Sequence, residues 1–145
     1  MELTVKKFQA LTLEELYGIL RSRSEVFVVE QNIVYQDMDY IDRYSTHIFF
    51  KDGDKIASYL RVIDAGVKFK EASIGRVLTL PEYRGRGLSR RLMQLAIQYL
   101  KTIGSVPIKI EAQEYLVKFY ESLGFKSVSE PFILEDIYHV EMMLY

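Results

Sequence analysis

The segment from Leu78 to Leu100, LTLPEYRGRGLSRRLMQLAIQYL, joins a strand-like apolar run to a long amphipathic helix through a glycine-containing basic turn. After the turn, apolar residues recur at helical spacing, and Gly104 marks the predicted helix end. A strand that enters a helix through a short turn leaves main-chain N–H groups free at the helix start. We therefore predict an anion-binding turn over residues 84–89.

The composition of this turn agrees with a phosphate ligand. Gly85 and Gly87 permit unusual backbone torsions and a close approach of the ligand, while Arg84 and Arg86 add positive charge. A Walker loop is excluded because its Gly-Lys-Ser/Thr ending is missing, and the Rossmann fingerprint lacks its third glycine, since position 90 is arginine. A tight strand-to-helix connection without a ligand is an equal alternative for the turn taken alone.

The wider pattern predicts the element order β-α-β-β-β-α-β-α-β, with a further short strand at 126–128. Thr12 and Glu15 form a predicted capping box for the first helix. Leu13 and Tyr17 are expected on its buried face, with Leu16 and Leu20. We expect a mixed sheet with helices on its faces, an α/β (mixed α+β) fold.

Composition restricts the function classes. A chain of 145 residues suits one domain, 1–145, and a net charge of -1 argues against a nucleic-acid partner. The absence of cysteine excludes disulfides, thiolate zinc sites and cysteine nucleophiles. We see no leader peptide and no apolar stretch near the roughly 20 residues of a membrane span. No membrane association and a cytoplasmic location are therefore expected.

Several motifs together resemble the GNAT acetyltransferase superfamily. RGRGLS, residues 84–89, resembles its acyl-CoA-binding signature: Arg or Gln, two residues, Gly, one residue, then Gly or Ala. Ser89 takes the last place, a mild departure because serine is small and keeps its N–H. VLTLPEYRGRG resembles the family's fourth strand and turn, and FYESLGF its final helix. The segment VFVVEQ, followed by Y, D and D, resembles the ElaA-like branch.

The resemblance implies a specific fold. It predicts one acetyltransferase domain, with a central mixed, mostly antiparallel sheet of six to seven strands flanked by about four helices. The two strands around 72–80 and 107–113 should splay apart and leave a slot for the acyl carrier.

The resemblance also implies acetyl-CoA as cosubstrate and no metal. The pyrophosphate would lie on the N–H groups of the turn, and the pantetheine arm would run along the preceding strand. The N–H of Val77 would polarise the thioester carbonyl. The implied cofactor-binding residues are Val77, Leu78, Thr79, Arg84, Gly85, Arg86, Gly87, Leu88 and Ser89.

Direct attack of an amine on the thioester needs a proton acceptor and a proton donor. Tyr120 lies four residues before Gly124, as does the family's catalytic tyrosine, and is our candidate acid. A core aromatic is the alternative, because Phe119 is adjacent. Glu111 is the candidate base, although an ion pair or a solvent-facing carboxylate is favoured for it, and water chains serve many such enzymes. Glu30 is its rival.

The acceptor end is predicted in the loop that carries Tyr35, Asp37 and Asp39, with Asp42 nearby, since acids beside aromatics suit an ammonium group. The alternative for each aspartate is a solvated loop. An EF-hand is excluded by its missing glycine and third acid. The candidate substrate residues are Glu30, Tyr35, Asp37, Asp39 and Arg76.

Four charged or titratable side chains on predicted strands need an explanation. Arg76 either binds a substrate carboxylate or, as we prefer, pairs with an internal acid such as Glu30. The role of Arg61 is left open. His47 and His139 are isolated near strand starts, and both are expected to be structural.

Three functions are compatible with these residues. The leading hypothesis is an N-acetyltransferase (acyltransferase class) that transfers acetyl directly to an amine-bearing small molecule or peptide within a ternary complex. A non-catalytic acyl-CoA-binding or regulatory module is the alternative, and a nucleotide-binding protein with the same phosphate turn is the third. A homodimer is left open, because an exposed strand edge near the C-terminus could pair between chains.

Overall fold

The computed structural model describes all 145 residues and contains eight strands and three α-helices. The predicted order of elements is confirmed. The strands are β1 (Glu2–Lys7), β2 (Ser45–Asp52), β3 (Lys55–Ile63), β4 (Ser73–Thr79), β5 (Ile108–Gln113), β6 (Lys126–Ser127), β7 (Phe132–Leu134) and β8 (Ile137–Leu144). The helices are α1 (Leu13–Arg23), which continues as a π-helix (Ser24–Glu30), α2 (Leu88–Thr102) and α3 (Val117–Glu121).

The strands form two sheets, whereas one sheet of six to seven strands was expected. The first is antiparallel with the order β1-β2-β3-β4, and the second has the order β5-β8-β6, with β7 also pairing with β8. The additional strand is β7, and both β6 and β7 are too short to show an alternating pattern. Both are strands because they pair with β8; the sequence analysis predicted β6 and missed β7. The helix count is three rather than about four.

The two sheets separate between β4 and β5. These strands meet at one isolated parallel bridge between Ala72 and Ile108, where the N–H of Lys109 donates to the carbonyl of Ala72 at 3.0 Å. Beyond this point they belong to different sheets. The separation lies where the splay was predicted and creates the slot described below.

Helix α1 begins as predicted but presents a different face to the core. The capping box of Thr12 and Glu15 is confirmed. Leu13 and Tyr17 are 86% and 75% exposed, whereas Ile19 is fully buried, so the predicted buried face is wrong. Buried polar residues of the helix have hydrogen-bond partners; Glu15, for example, accepts a bond from Lys6. The buried face of the helix therefore includes hydrogen-bonded polar side chains, which an apolar pattern does not indicate.

A β-bulge interrupts β4. Tyr59 pairs with Leu78 and Arg61 pairs with Gly75, which leaves one residue of β3 opposite two residues of β4, Arg76 and Val77. Arg76 adopts a left-handed backbone conformation, with φ of 52°. The bulge ends the regular alternation of β4 at the level of the slot.

Helix α2 closes the first sheet through residues that include Leu92, Met93 and Ala96, all fully buried. Strand β3 is buried from Ile56 to Ile63, which requires cover on both faces of this sheet. None of the helices has the length and apolar character needed to cross a membrane.

Candidate active site

A cleft of about 660 Å³ opens where β4 and β5 diverge. Its walls are these two strands, and its ends are formed by the π-helix, the start of α2, the helix α3 and the β7–β8 hairpin. The cleft-facing edge of β4 pairs with no strand beyond Ala72. Its main-chain groups are therefore available to an extended ligand, as in β-strand addition.

The turn before α2 brings free main-chain donors to this cleft. Gly85 and Gly87 have φ of 83° and 71°, and a Cβ at either position would meet no atom within 4 Å. Glycine is favoured here by conformation, not by crowding. The N–H groups from Gly85 to Arg90 make no hydrogen bond within the protein, and the first bond of the helix joins the Arg91 N–H to the Gly87 carbonyl at 3.1 Å. The geometry is that of an anion site.

The arginine side chains of the turn differ from expectation. Arg84 makes two bonds of 2.6 Å to the carboxylate of Glu30, and its Nε donates to the Thr79 carbonyl at 3.0 Å. Its guanidinium therefore braces the turn. Arg86 lies over the ring of Tyr83, outside the cleft lining. The main chain of both residues forms part of the predicted turn, but neither side chain is free in the cleft.

Arg90 is the cation of α2 that lines the cleft, and the sequence analysis missed it. Its guanidinium lies 5.2 Å from the centre of the Phe119 ring and donates to Ser122 Oγ at 3.0 Å. Arg90 lies four residues after Arg86, and this second basic position near the turn was the signal in the sequence. The turn geometry decides which of the two arginines faces the cleft.

Ser89 connects α2 to β4 through hydroxyl groups. Its Oγ lies 2.7 Å from Thr79 Oγ1, which lies 2.9 Å from Ser58 Oγ. Ser58 is fully buried and donates to the Leu78 carbonyl. The departure from the family signature at Ser89 thus adds a bond between helix and strand that glycine or alanine could not make.

Tyr120 packs in the core and also reaches the cleft. It is 6% exposed and packs edge-on against Phe119 and Phe125, as a core aromatic would. It also lines the cleft, and its hydroxyl makes no hydrogen bond in the protein although it is not sealed from solvent. Burial, followed by the nearby Tyr115, raises the pKa of Tyr120 above that of an ordinary phenol.

Glu111 lines the cleft but is not a free carboxylate. It forms an ion pair of 2.7 Å with Lys68, and its side chain is 18% exposed. This is the ion pair that was favoured over a role as base. Glu30 is also paired, with Arg84. The hydrogen bond from Arg84 lowers the pKa of Glu30 and outweighs the opposite effect of burial.

The acidic loop forms a network instead of an open substrate site. Asp37 is 7% exposed and accepts bonds from Arg23 and Arg76, at 2.9 and 2.7 Å. Arg76 thus has the internal partner that we preferred, but that partner is Asp37 and not Glu30. Tyr35 donates to Asp37 at 2.8 Å. Neither the substrate role nor the solvated loop describes Asp37.

Asp39 and Asp42 complete this network with Arg61. Arg61 bonds Asp39 at 2.7 Å and Asp42 at 2.9 Å, and Arg23 bonds Asp42 at 2.6 Å. Burial alone would raise the pKa of Asp39, but the hydrogen bond and charge of Arg61 outweigh it and lower the pKa to about 2. Arg61, whose role the sequence left open, therefore holds the loop to β3.

The two histidines differ. His47 is buried with both ring nitrogens bonded, to the Tyr59 hydroxyl and the Asp42 carbonyl, as a structural residue would be. His139 is buried as well but lines the cleft. It lies directly across from Gln113 in the β5–β8 pair. That pairing is non-local, so no local sequence pattern indicates the position of His139 in the cleft.

Comparison with known proteins agrees with this geometry. An acetyltransferase (GNAT) domain family matches residues 9–145. A UPF0039 protein of Synechocystis sp. is 34% identical over 140 residues, covering 95% of this chain and 91% of the relative. An acyl-CoA N-acyltransferase structure from Pseudomonas aeruginosa superposes with a TM-score of 0.93 at 35% identity, covering 99% of both chains.

Escherichia coli ElaA is similarly close, with a TM-score of 0.91 and 30% identity over 99% of both chains. The match spans the cleft, the glycine turn and the loop network alike, because it covers nearly the whole chain. The chain therefore belongs to the GNAT acetyltransferase family, in its ElaA-like branch.

Proposed function

We propose that residues 1–145 form one acetyltransferase domain that transfers an acetyl group from acetyl-CoA directly to an amine acceptor. The transfer takes place in a ternary complex, without a covalent enzyme intermediate and without a metal. Family membership supports acyl-CoA-dependent transfer in general. The acetyl donor and the amine acceptor are the specific parts of the proposal.

The single observation that carries it is the row of uncapped N–H groups from Gly85 to Arg90 at the start of α2, beside a cleft bounded by an unpaired strand edge. These donors suit the pyrophosphate of coenzyme A. The free edge of β4 suits the amide groups of its pantetheine arm. A site for an isolated phosphate would need the turn but not the strand edge.

The chain's own residues supply two further functions. Val77 lies in the bulge of β4, outside the register with β3, and we assign its N–H to the thioester oxygen. Tyr120 is assigned as the proton donor to the leaving thiolate, because its phenol lines the cleft and is protonated at neutral pH. Glu111, paired with Lys68, is not available as a free base.

Thermal shift tests the ligand class. A ligand that binds only the folded state stabilises it by about 2.7 kcal/mol at a hundredfold excess over Kd. Acetyl-CoA and CoA should raise Tm more than ATP or NAD at equal concentration. The reverse ranking would assign the turn to a nucleotide and overturn the proposal.

Thiol release from acetyl-CoA in the presence of a panel of amines then tests catalysis. Release that depends on an amine supports direct transfer. Stabilisation by CoA without release from any amine in the panel supports the alternative, a non-catalytic acyl-CoA-binding module.

A further inference from the structure

The base for the proposed reaction is missing from the residues considered so far. Two carboxylates that line the cleft are bound to cations: Glu30 to Arg84 and Glu111 to Lys68. Glu141, the direct partner of Glu111 in β8, is bound to Lys109. Each would have to break an ion pair before accepting a proton.

Other charged groups at the cleft do not supply a base either. Arg76 and Arg90 are cations, and Arg76 is paired with Asp37. Glu135 lies at the tip of the β7–β8 hairpin, where it is exposed to solvent. A base that acts inside the cleft must therefore be a neutral group with a free lone pair.

His139 can supply such a lone pair from its ring. It is 8% exposed, stacks on Phe132 with ring centres 6.2 Å apart, and lines the cleft. Its Nδ1 lies 2.8 Å from the carbonyl oxygen of Ile137. Because a carbonyl oxygen can only accept, the proton of the neutral ring is on Nδ1, and Nε2 carries a lone pair. Nε2 has no hydrogen-bond partner and is not sealed from solvent.

The position of His139 along the cleft matches that of the reacting group. Counted in parallel register from the bridge between Ala72 and Ile108, five residues along each strand bring Gln113 level with Val77, and the extra residue of the bulge moves this level by one residue towards Leu78. His139 is the direct partner of Gln113 in β8. The imidazole is therefore near the level at which the Val77 N–H is assigned to the thioester.

Strand alternation places His139 on the face of the second sheet opposite to the core residues of β5. Directly paired residues of antiparallel strands project to the same face, so His139 projects with Gln113. Ile110 and Ala112 alternate with these positions and pack in the core cluster that contains Tyr120. An acceptor entering on the histidine face would meet the thioester between the side chains of His139 and Tyr120.

We propose that His139 is the general base of this enzyme, its Nε2 accepting a proton from the acceptor's ammonium group. The inference rests on the proposed acetyl transfer. The freed nitrogen lone pair attacks the acyl carbon, the C–S bond breaks, and the thiolate takes the proton of the Tyr120 hydroxyl. The ammonium loses two protons in all: one passes through Nε2 to solvent, and the second restores the phenol of Tyr120.

The test compares wild type with His139→Asn, whose side-chain amide can still donate to the Ile137 carbonyl. With acetyl-CoA and butylamine, the variant should lose about 100-fold in kcat/KM at pH 7. The loss should shrink below about tenfold at pH 10, where more of the amine is already neutral. It should also be below about tenfold at pH 7 with aniline, which is already neutral at this pH and needs no deprotonation before it attacks. An equal loss under all three conditions would show a structural role and overturn the inference.

A second measurement needs no turnover. In protein labelled with ¹⁵N-histidine, the nitrogen shifts of the neutral His139 ring should report a proton on Nδ1, with His139→Asn providing the assignment. A proton on Nε2 overturns the His139 inference even if the enzyme is active. Loss of CoA-dependent stabilisation in wild type would instead overturn the proposed function, so the two failures are distinguishable.

Discussion

The polar groups on the two sides of β4 differ in whether they have hydrogen-bond partners within the protein. On one side, Arg23, Arg61 and Arg76 bind Asp37, Asp39 and Asp42 so completely that Arg61 Nε is the one fully buried atom of this network without a partner. On the other side, the cleft presents main-chain N–H groups, the Tyr120 hydroxyl and His139 Nε2 without partners. Satisfied polar groups hold the fold, and unsatisfied ones are available to ligands.

The comparison also explains why the acidic loop misleads a reading of the sequence. Acids beside tyrosines have the composition of an ammonium site, but the arginines that neutralise them come from α1, β3 and β4. Composition within one segment does not reveal partners contributed by others. The network is a support for the cleft wall, and Tyr35 and Arg76 are its members that reach the cleft lining.

The largest effect is expected from breaking the network. Asp42→Ala leaves Arg23 and Arg61 without a shared carboxylate, and removal of one partner from a buried ion pair costs about 3–5 kcal/mol. Urea unfolding measures the change. Asp54→Ala, on the exposed β2–β3 turn, is the control and should change stability by less than about 0.5 kcal/mol. A cost below about 1 kcal/mol for Asp42→Ala would contradict the role of the network.

On the cleft side, Tyr120→Phe should lower kcat by about 100-fold, since the variant keeps the ring packing but loses the proton donor. The Kd for CoA, measured by calorimetry, should change by less than about twofold. Phe119→Leu provides a packing control in the same helix, with an expected loss in stability but a smaller loss in kcat. Unchanged turnover in Tyr120→Phe would remove the hydroxyl from the mechanism.

Acid titration tests a satisfied carboxylate outside the network. Burial alone would raise the pKa of Glu15, but hydrogen bonds from Lys6, Thr12 and Lys51 lower it from 4.5 to about 2. A lowered folded-state pKa stabilises the protein above pH 4.5, and this contribution is lost as the pH falls towards 2. Between pH 7 and pH 3, wild type should lose about 1–2 kcal/mol more stability than Glu15→Gln, after allowance for partly exposed partners.

Urea unfolding at the two pH values gives this difference. Glu14→Gln is the matched control, because Glu14 is exposed in the same helical turn. A fall with pH that is identical in wild type and Glu15→Gln would show that Glu15 keeps an ordinary pKa.

The smallest effect separates Arg90, in the first turn of α2, from Arg86, in the turn that precedes the helix. Arg90→Ala should raise the Kd for CoA about fivefold at low ionic strength and about twofold at 0.5 M salt, because screening weakens the attraction. Arg86→Ala should change the Kd by less than about twofold, since its guanidinium lies on Tyr83 outside the cleft. The reverse order would place the phosphates on the other side of the turn.

Local signals predicted the elements, and non-local pairing decided where they differ from expectation. The capping box at Thr12, the glycine turn and the stop at Gly104 were visible because each depends on neighbours within a few residues. The exposed face of α1 and the strand β7 were not visible in the sequence. The first depends on the ion pair between Arg23 and Asp37, and the second depends on pairing with β8.

The sequence by itself determined the order of strands and helices apart from β7, and the left-handed glycines of the turn, because torsional preference and hydrophobic period are properties of short segments. Its motifs also determined membership of the family. Only the tertiary structure decided which polar groups are occupied. In the folded protein, Glu111 is paired with Lys68, Glu30 with Arg84 and the three aspartates with three arginines, while His139 keeps a free ring nitrogen. Charge pairing depends on distances between segments far apart in the chain, and no local pattern encodes those distances.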